Sequence, residues 1–343
     1  MLRKSIFFLI ITMGLTLSAC SKGGSDNEVE AMSRTELFMG TSVKITLYNH
    51  ENEESINKAF ERIKEIEDTV SINKEGTEIG ELNKNAGVRP VKLSKDSIEI
   101  IEKGLHYSNL SKGSYDISIG PLVKLWSIGL PEAKVPTENE IKEVLENIDY
   151  SKVKINDEEV FLEEKEMILD LGSIAKGYAA DEVVEVLENE GVEKAVIDLG
   201  GNIYVMGEKA KNQKWKIGVQ NPFADRGSAI GSILLSDKSI VTTGVYERYI
   251  EDGDAKYHHV LDPKTGYPYE TEIAGVTIIA DKSIDADSLS TLVFTKGIDE
   301  GLEFIESIDG VEAIFVSNSK EIYKSVGIKD SFNLLNEDFK VMN

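Results

Sequence analysis

Hydrophobic positions in this chain switch between two periods, and the switches map its elements. Over 42–48, Val43, Ile45 and Leu47 alternate with polar residues, which predicts a half-buried strand. Over 53–70, Ile56, Phe60, Ile63 and Ile66 recur at the spacing of an amphipathic helix. A polar loop is expected over 73–90, a second helix over 95–110, an irregular Gly-Pro stretch over 113–126 and a short acidic helix over 137–148. From Val153 onward strands dominate, at 195–198, 203–205, 215–219, 229–235, 241–243, 246–250, 259–261, 275–280, 313–316 and 321–323. Helices interrupt them after Ser173, where Ala180, Val183, Val184 and Leu187 form one stripe, and again over 285–295 and 299–307. Many adjacent strands with irregularly placed helices predict an α+β fold of mostly antiparallel sheets with packed helices. The expectation is a single large domain of two intimate lobes, not a regular βαβ alternation.

The N-terminus has a different character. Arg3 and Lys4 precede an apolar run over 6–17, followed by Ser18, Ala19 and Cys20, which reads as a secretory signal over 1–19. The run is short for a spanning helix. Leu17-Ser18-Ala19-Cys20 resembles the bacterial lipobox, in which the cysteine becomes the lipidated first residue; a plain cleaved signal and an uncleaved anchor are the other readings. Cys20 is the only cysteine, so an intramolecular disulfide is impossible. The expectation is a lipid-anchored flexible tether over 20–34 and one folded domain over 35–343, held at the cell membrane on its extracytoplasmic side (periplasm or cell exterior).

Charge narrows the partners. The formal net charge is −23, and cleavage after Ala19 removes Arg3 and Lys4 to leave −25. Such a chain is repelled by nucleic acid and by anionic lipid, so a lipid rather than a basic face would hold it at a membrane.

Three stretches carry candidate chemistry. Leu169-Asp170-Leu171-Gly172-Ser173-Ile174-Ala175-Lys176-Gly177 is a strand–glycine–helix junction, with Ser173 as the expected cap. Its unpaired N–H groups and positive dipole end suit phosphate, although the P-loop signature is absent. In Asp285-Ala286-Asp287-Ser288-Leu289-Ser290-Thr291, a cap at Asp285 puts Asp287 and Thr291 on one helical face. That pair suits Mg²⁺, and an ordinary helix start reads the same way. Tyr257-His258-His259-Val260-Leu261-Asp262-Pro263 holds two of the four histidines beside a turn, fitting either a general base or a decorated hairpin end. Glycines in Asp198-Leu199-Gly200-Gly201-Asn202, Thr242-Thr243-Gly244 and Met39-Gly40-Thr41 allow close backbone approach. Ser114-Tyr115-Asp116 offers an aromatic face and a carboxylate.

Taken in order, Met39-Gly40-Thr41, Ser114-Tyr115-Asp116 with Gly120-Pro121-Leu122, the 170–177 junction, Asp198 to Asn202, His259 to Gly266 and Asp287 to Thr291 resemble the bacterial FAD:protein FMN transferases, the ApbE family. The resemblance covers roughly residues 35–330. It implies an ApbE, T-fold-like architecture and a Mg²⁺-dependent enzyme that splits FAD and places FMN on a Thr or Ser of an extracytoplasmic or membrane flavoprotein, releasing AMP. It further implies a metal held by Asp287 and Thr291, with carbonyl help from Ser173 and from Ser290. The flavin nucleotide would lie along Met39, Asn73, Ser114, Tyr115, Asp116, Asp170, Lys176 and Leu261. His259 would be the proton acceptor, with His258 as the substitute. Asn73 stands where many relatives carry tyrosine, which predicts easier hydrolysis of FAD by water. An FAD pyrophosphatase and a non-catalytic flavin-binding lipoprotein are the competing readings.

Overall fold

Alternation within single strands explains why one sheet carries two cores. Along Ile273–Ala280, a strand buried at every position, Val276, Ile278 and Ala280 face the helices while Ile279 faces the opposite side. The neighbouring strand Glu312–Ser317 repeats the pattern: Ala313 and Phe315 face one core, Ile314 and Val316 the other. Alternation of this kind is what a sheet covered on both faces requires. The chain, seen in a computed structural model, is described at residues 31–48, 50, 52–253 and 255–342. The central sheet has nine strands, in the spatial order Ala31–Phe38, Thr41–Tyr48, Ala195–Leu199, Asn202–Met206, Lys238–Gly244, Ile273–Ala280, Glu312–Ser317, Glu321–Lys324 and Lys340–Val341. Every pairing in it is antiparallel except that of the last two strands.

The helices Glu53–Val70, Lys95–Leu110, Ala175–Asn189 and Ser283–Phe294 contribute to one continuous core over one sheet face. This helix-side core draws on residues from Val43 to Phe315, so it is not divided between the two lobes expected from the sequence. A small sheet of Trp215–Gln220, Ala229–Leu235 and Asn333–Leu334 supplies residues to the core on the other face. A satellite cluster of Leu122, Trp126, Ile141 and Leu261 joins the Gly120–Trp126 helix to the turn after His259, with Trp126 Nε1 donating to Gly266 O at 2.8 Å.

Several expectations need correction. The edge strand Ala31–Phe38 begins inside the stretch assigned to the tether; it has no fully buried residue, and its partner Thr41–Tyr48 imposes its register. The loop expected over 73–90 contains the helix Glu78–Lys84, capped by Thr77, which buries only Ile79 and Leu82, too few for a readable period. The irregular 113–126 stretch contains the helix Gly120–Trp126, with Pro121 in its first turn, where a missing N–H costs nothing. The strands placed at 246–250 and 259–261 are instead the hairpin Tyr249–Asp252 and Ala255–His258.

Candidate active site

Two helices that cross at their N-termini build the floor of the site, and each caps the other. The Ala175–Asn189 helix has no side-chain cap of its own. Ser173, expected to cap it, donates its hydroxyl to the buried Tyr115 phenol oxygen at 3.0 Å. The Gly177 N–H instead donates to Asp287 Oδ2 at 2.9 Å, across to the Ser283–Phe294 helix. In return, Asp181 accepts from the N–H groups of Ser283 and Ile284 at 2.8 and 2.9 Å. Asp285 is therefore not the cap of its helix; its carboxylate accepts from Tyr107 and Lys103, both at 2.6 Å. The positive end of the first helix thus meets a carboxylate rather than standing open as a phosphate seat.

Asp287 is 4 % exposed, and Lys176 Nζ lies 3.2 and 3.3 Å from its two oxygens and 3.3 Å from Gly172 O. Gly177 makes this crossing possible, because a Cβ there would lie 2.4 Å from Ser283 O and 2.7 Å from Ile284 Cα.

A cavity of about 1700 Å³ opens above this floor. Met39, Asn73, Ser114, Tyr115, Asp116, Asp170, Ser173, Lys176, His259, Leu261, Asp287 and Thr291 all line it. Ser290 does not: its buried hydroxyl donates to Asp287 O at 2.8 Å and meets Thr243 Oγ1 at 2.7 Å, so it braces the wall from behind. Cys20 lies outside the described residues.

The lining residues differ in what they leave free. Asp116 Oδ1 accepts from the Ser118 N–H and hydroxyl at 2.7 and 2.6 Å, and Oδ2 from the Tyr150 N–H at 3.3 Å. Its carboxylate is committed to shaping the wall. Asp170 holds its own turn through Gly172 N–H at 2.7 Å, and burial raises its carboxyl above the ordinary value. The Ser114 hydroxyl accepts from Thr295 at 2.9 Å. Met39 adopts a left-handed backbone (φ 51°), and its N–H donates to Glu67 at 2.6 Å. Asn73 is exposed on the cavity wall, its N–H donating to Ser71 Oγ at 3.2 Å.

His259 lies on the cavity with Nδ1 3.3 Å from Arg248 O, and the same carbonyl accepts its backbone N–H at 3.1 Å. Burial, reinforced by the charges of Arg248 and His258, pushes its imidazole down to about 4. His258 is buried away from the cavity: Nδ1 accepts from Val260 N–H at 3.3 Å and Nε2 sits 2.9 Å from Tyr269 O.

Sequence reasoning passed over Arg248 and Lys124, which also line the cavity. A usable signal existed: only six arginines occur in 343 residues, and two of them, Arg226 and Arg248, face this cavity.

Among the described residues, no three His, Cys, Asp or Glu side chains gather into a metal cage. The donors present are the buried Asp287 carboxylate, the Thr291 hydroxyl and the Ser173 carbonyl, the Ser173 hydroxyl being engaged with Tyr115 and the Asp116 carboxylate with Ser118 and Tyr150. Such a sparse oxygen set fits Mg²⁺, which binds through one or two carboxylates and completes its shell with waters and substrate phosphates.

Comparison with known proteins agrees with this architecture. A FAD:protein FMN transferase of Klebsiella pneumoniae is 36 % identical over 321 residues, covering 93 % of this chain and 99 % of the relative. A FAD:protein FMN transferase of Treponema pallidum is 31 % identical over 353 residues, covering 97 % and 98 %. The crystal structure of an ApbE protein from Thermotoga maritima superposes with a TM-score of 0.80 at 29 % identity, over 88 % of this chain and 98 % of that one. The flavin transferase ApbE of Vibrio cholerae, at 24 % identity and a TM-score of 0.79 over 88 % and 99 %, shares the fold. The ApbE family profile matches residues 39–315, and with relatives this similar along nearly its whole length, the chain belongs to the ApbE family.

Proposed function

We propose that this protein is a Mg²⁺-dependent FAD:protein FMN transferase that attaches FMN through a phosphoester to a Thr or Ser of an extracytoplasmic or membrane flavoprotein and releases AMP. The observation that carries the reading is the convergence of Asp287, Thr291, Lys176 and His259 on one cavity in a chain of this family. FAD fits the cavity as a substrate whose diphosphate lies over the floor, with Tyr115, Asp116, Asp170 and Leu261 along its path. Asp287 and Thr291, aided by Ser173, are the residues that would hold Mg²⁺. The ion's contribution when bound is to neutralise and orient the diphosphate, so that catalysis is mostly positioning plus electrostatics.

The chain's own residues then account for the proton. With Nδ1–H turned to Arg248 O, His259 Nε2 is the free acceptor, neutral above its lowered pKa. The acceptor hydroxyl gives its proton to Nε2 as its oxygen bonds to the FMN phosphorus. The bond from that phosphorus to the bridging oxygen breaks, and AMP leaves with the oxygen and its electron pair. Lys176 keeps the Asp287 carboxylate oriented, which fits a positioning role.

The test is to incubate the protein with FAD, Mg²⁺ and a candidate acceptor, then weigh both proteins by mass spectrometry. The expected result is an FMN adduct on the acceptor and free AMP. Asp287→Ala should abolish the adduct, and chelation of Mg²⁺ should do the same. His259→Ala should slow transfer more than it weakens FAD binding; equal losses would make it a structural residue.

A second outcome at the same site is hydrolysis. Asn73 is exposed on the wall, with no ring there to stack on the substrate, a contact worth about 1 kcal/mol in aromatic pairs. Acceptor-free AMP release should therefore exceed that of an Asn73→Tyr variant, and equal rates would remove Asn73 from this role.

The lipobox ending at Cys20 supports a lipid anchor after cleavage of the signal over 1–19, placing the enzyme on the extracytoplasmic face of the cell membrane. The acidic net charge of −23 makes nucleic acid an unsuitable partner.

A further inference from the structure

The cations on the cavity are mostly spoken for. Lys176 is paired with Asp287 at 3.2 Å, Lys74 with Glu67 at 2.6 Å, Arg226 with Glu247, and Lys256 lies 3.5 Å over the Tyr249 ring. Arg248 has no ion pair and no side-chain hydrogen bond among the described residues, in a chain carrying 61 acidic residues. Its location is nevertheless closely defined. A Cβ on Gly129 would lie 2.9 Å from its Cδ, and one on Gly40 would lie 3.8 Å from its Nη2. The side chain therefore passes between two turns that offer bare backbone, and its terminus is left toward the cavity.

The backbone of the same residue fixes the base. Arg248 O accepts the His259 N–H at 3.1 Å and lies 3.3 Å from His259 Nδ1. One residue thus carries a cation on its side chain and orients the imidazole with its carbonyl. Its charge also reaches the floor, where it counters the burial that raises Asp170. A planar guanidinium matches two phosphate oxygens at once, which an ammonium does not.

We infer that Arg248 is a catalytic residue that grips the non-bridging oxygens of the attacked phosphoryl group, from the wall that carries the base. This rests on the transferase reading above. As the acceptor oxygen bonds to phosphorus and the bridging oxygen departs with AMP, charge spreads over those non-bridging oxygens. A guanidinium already in place stabilises that arrangement more than the ground state. Arg248 donates hydrogen bonds and transfers no proton.

The test compares Arg248→Gln, Arg248→Lys and Arg248→Ala with the wild-type protein, using FAD, Mg²⁺ and an acceptor, and following FMN transfer and AMP release separately. Arg248→Gln is expected to lower kcat on the order of 100-fold while KM for FAD changes less than about threefold, the pattern of a contact made in the transition state. Arg248→Lys should recover part of the loss. Free guanidinium ion should restore Arg248→Ala but not His259→Ala. Lys216→Gln, which removes an exposed cation that does not line the cavity, should leave kcat within about threefold of wild type, as expected for a charge making no transition-state contact.

A kcat for Arg248→Gln within threefold of an active wild type overturns this inference and leaves the transferase reading intact. So does a loss confined to KM, or a loss in Arg248→Ala that guanidinium does not touch. A wild-type protein that neither transfers FMN nor releases AMP overturns the transferase reading and this inference with it.

Discussion

His258 and His259 are neighbours with opposite fates, and the difference lies in what their ring nitrogens meet. His258 is edge-on to Phe294 at 5.6 Å, with one nitrogen accepting from Val260 N–H and the other beside Tyr269 O, so it has nothing left for a substrate. His259 spends one nitrogen on Arg248 O and lines the cavity. Periodicity in the sequence identified neither fate, because both depend on a hairpin that ends at His258 rather than a strand that begins at His259. The lowered pKa of His259, about 4 against an ordinary value near 6.5, has a measurable consequence. The neutral imidazole is the proton acceptor, so activity requires a pH above that pKa, and lowering it extends activity toward acid. In the proposed reaction kcat/KM, which reports the free enzyme, should stay flat from about pH 7.5 to about pH 5.5, whereas an unperturbed histidine would lose about tenfold over that range. An acid limb centred near pH 6.5 would show that burial and Arg248 do not act on the base as described.

Between elements, the informative unit is the pair of helices that exchange carboxylates. Asp287 caps the Ala175–Asn189 helix through Gly177, and Asp181 caps the Ser283–Phe294 helix through Ser283 and Ile284. Each anion sits at the positive end of the other helix, where it stabilises both dipoles. The sequence displayed both carboxylates and the glycine but not their pairing, because Gly177 and Asp287 are 110 residues apart. Local rules therefore put the cap on Ser173 and Asp285 and left a phosphate seat open. The longer, strongly periodic helices, such as Glu53–Val70, were legible, whereas Glu78–Lys84 and Gly120–Trp126, with two to four buried residues each, were not.

The crossing also separates structure from catalysis. Gly177→Ala should cost about 1–3 kcal/mol through overpacking against Ser283 O. It should lower FMN transfer further than that loss alone explains, because the Asp287 carboxylate moves with its helix. Asp181→Ala should lose a cap worth about 1 kcal/mol while leaving Asp287 in contact with Gly177. Thermal melts alongside transfer assays check both, and equal activity losses in the two variants would deny Gly177 its part in placing Asp287.

At the scale of the whole molecule, charge and attachment have to be reconciled. The chain carries −23 overall, yet its cavity holds cations that outlast internal pairing, so its unpaired positive charge there is local and walled. The same net charge opposes adsorption to anionic lipid, and among the described residues no helix is long and apolar enough to cross a membrane. The lipid proposed at Cys20 would supply membrane association without a basic face. The sheet begins at Ala31, so from Cys20 to that edge strand the chain spans at most about 40 Å when fully extended. An enzyme held within that distance meets membrane-bound acceptors at high effective concentration, whereas soluble acceptors gain nothing from the anchor. Cys20→Ser should therefore move the protein from the membrane fraction to the soluble fraction and reduce flavinylation of membrane acceptors in cells. Its rate per molecule on a soluble acceptor should match wild type, because Cys20 precedes the sheet and the cavity-lining residues start at Met39. Fractionation of cells carrying Cys20→Ser, followed by in-gel flavin fluorescence of the acceptors, tests both halves. Retention of the variant in the membrane fraction would assign attachment to another part of the chain.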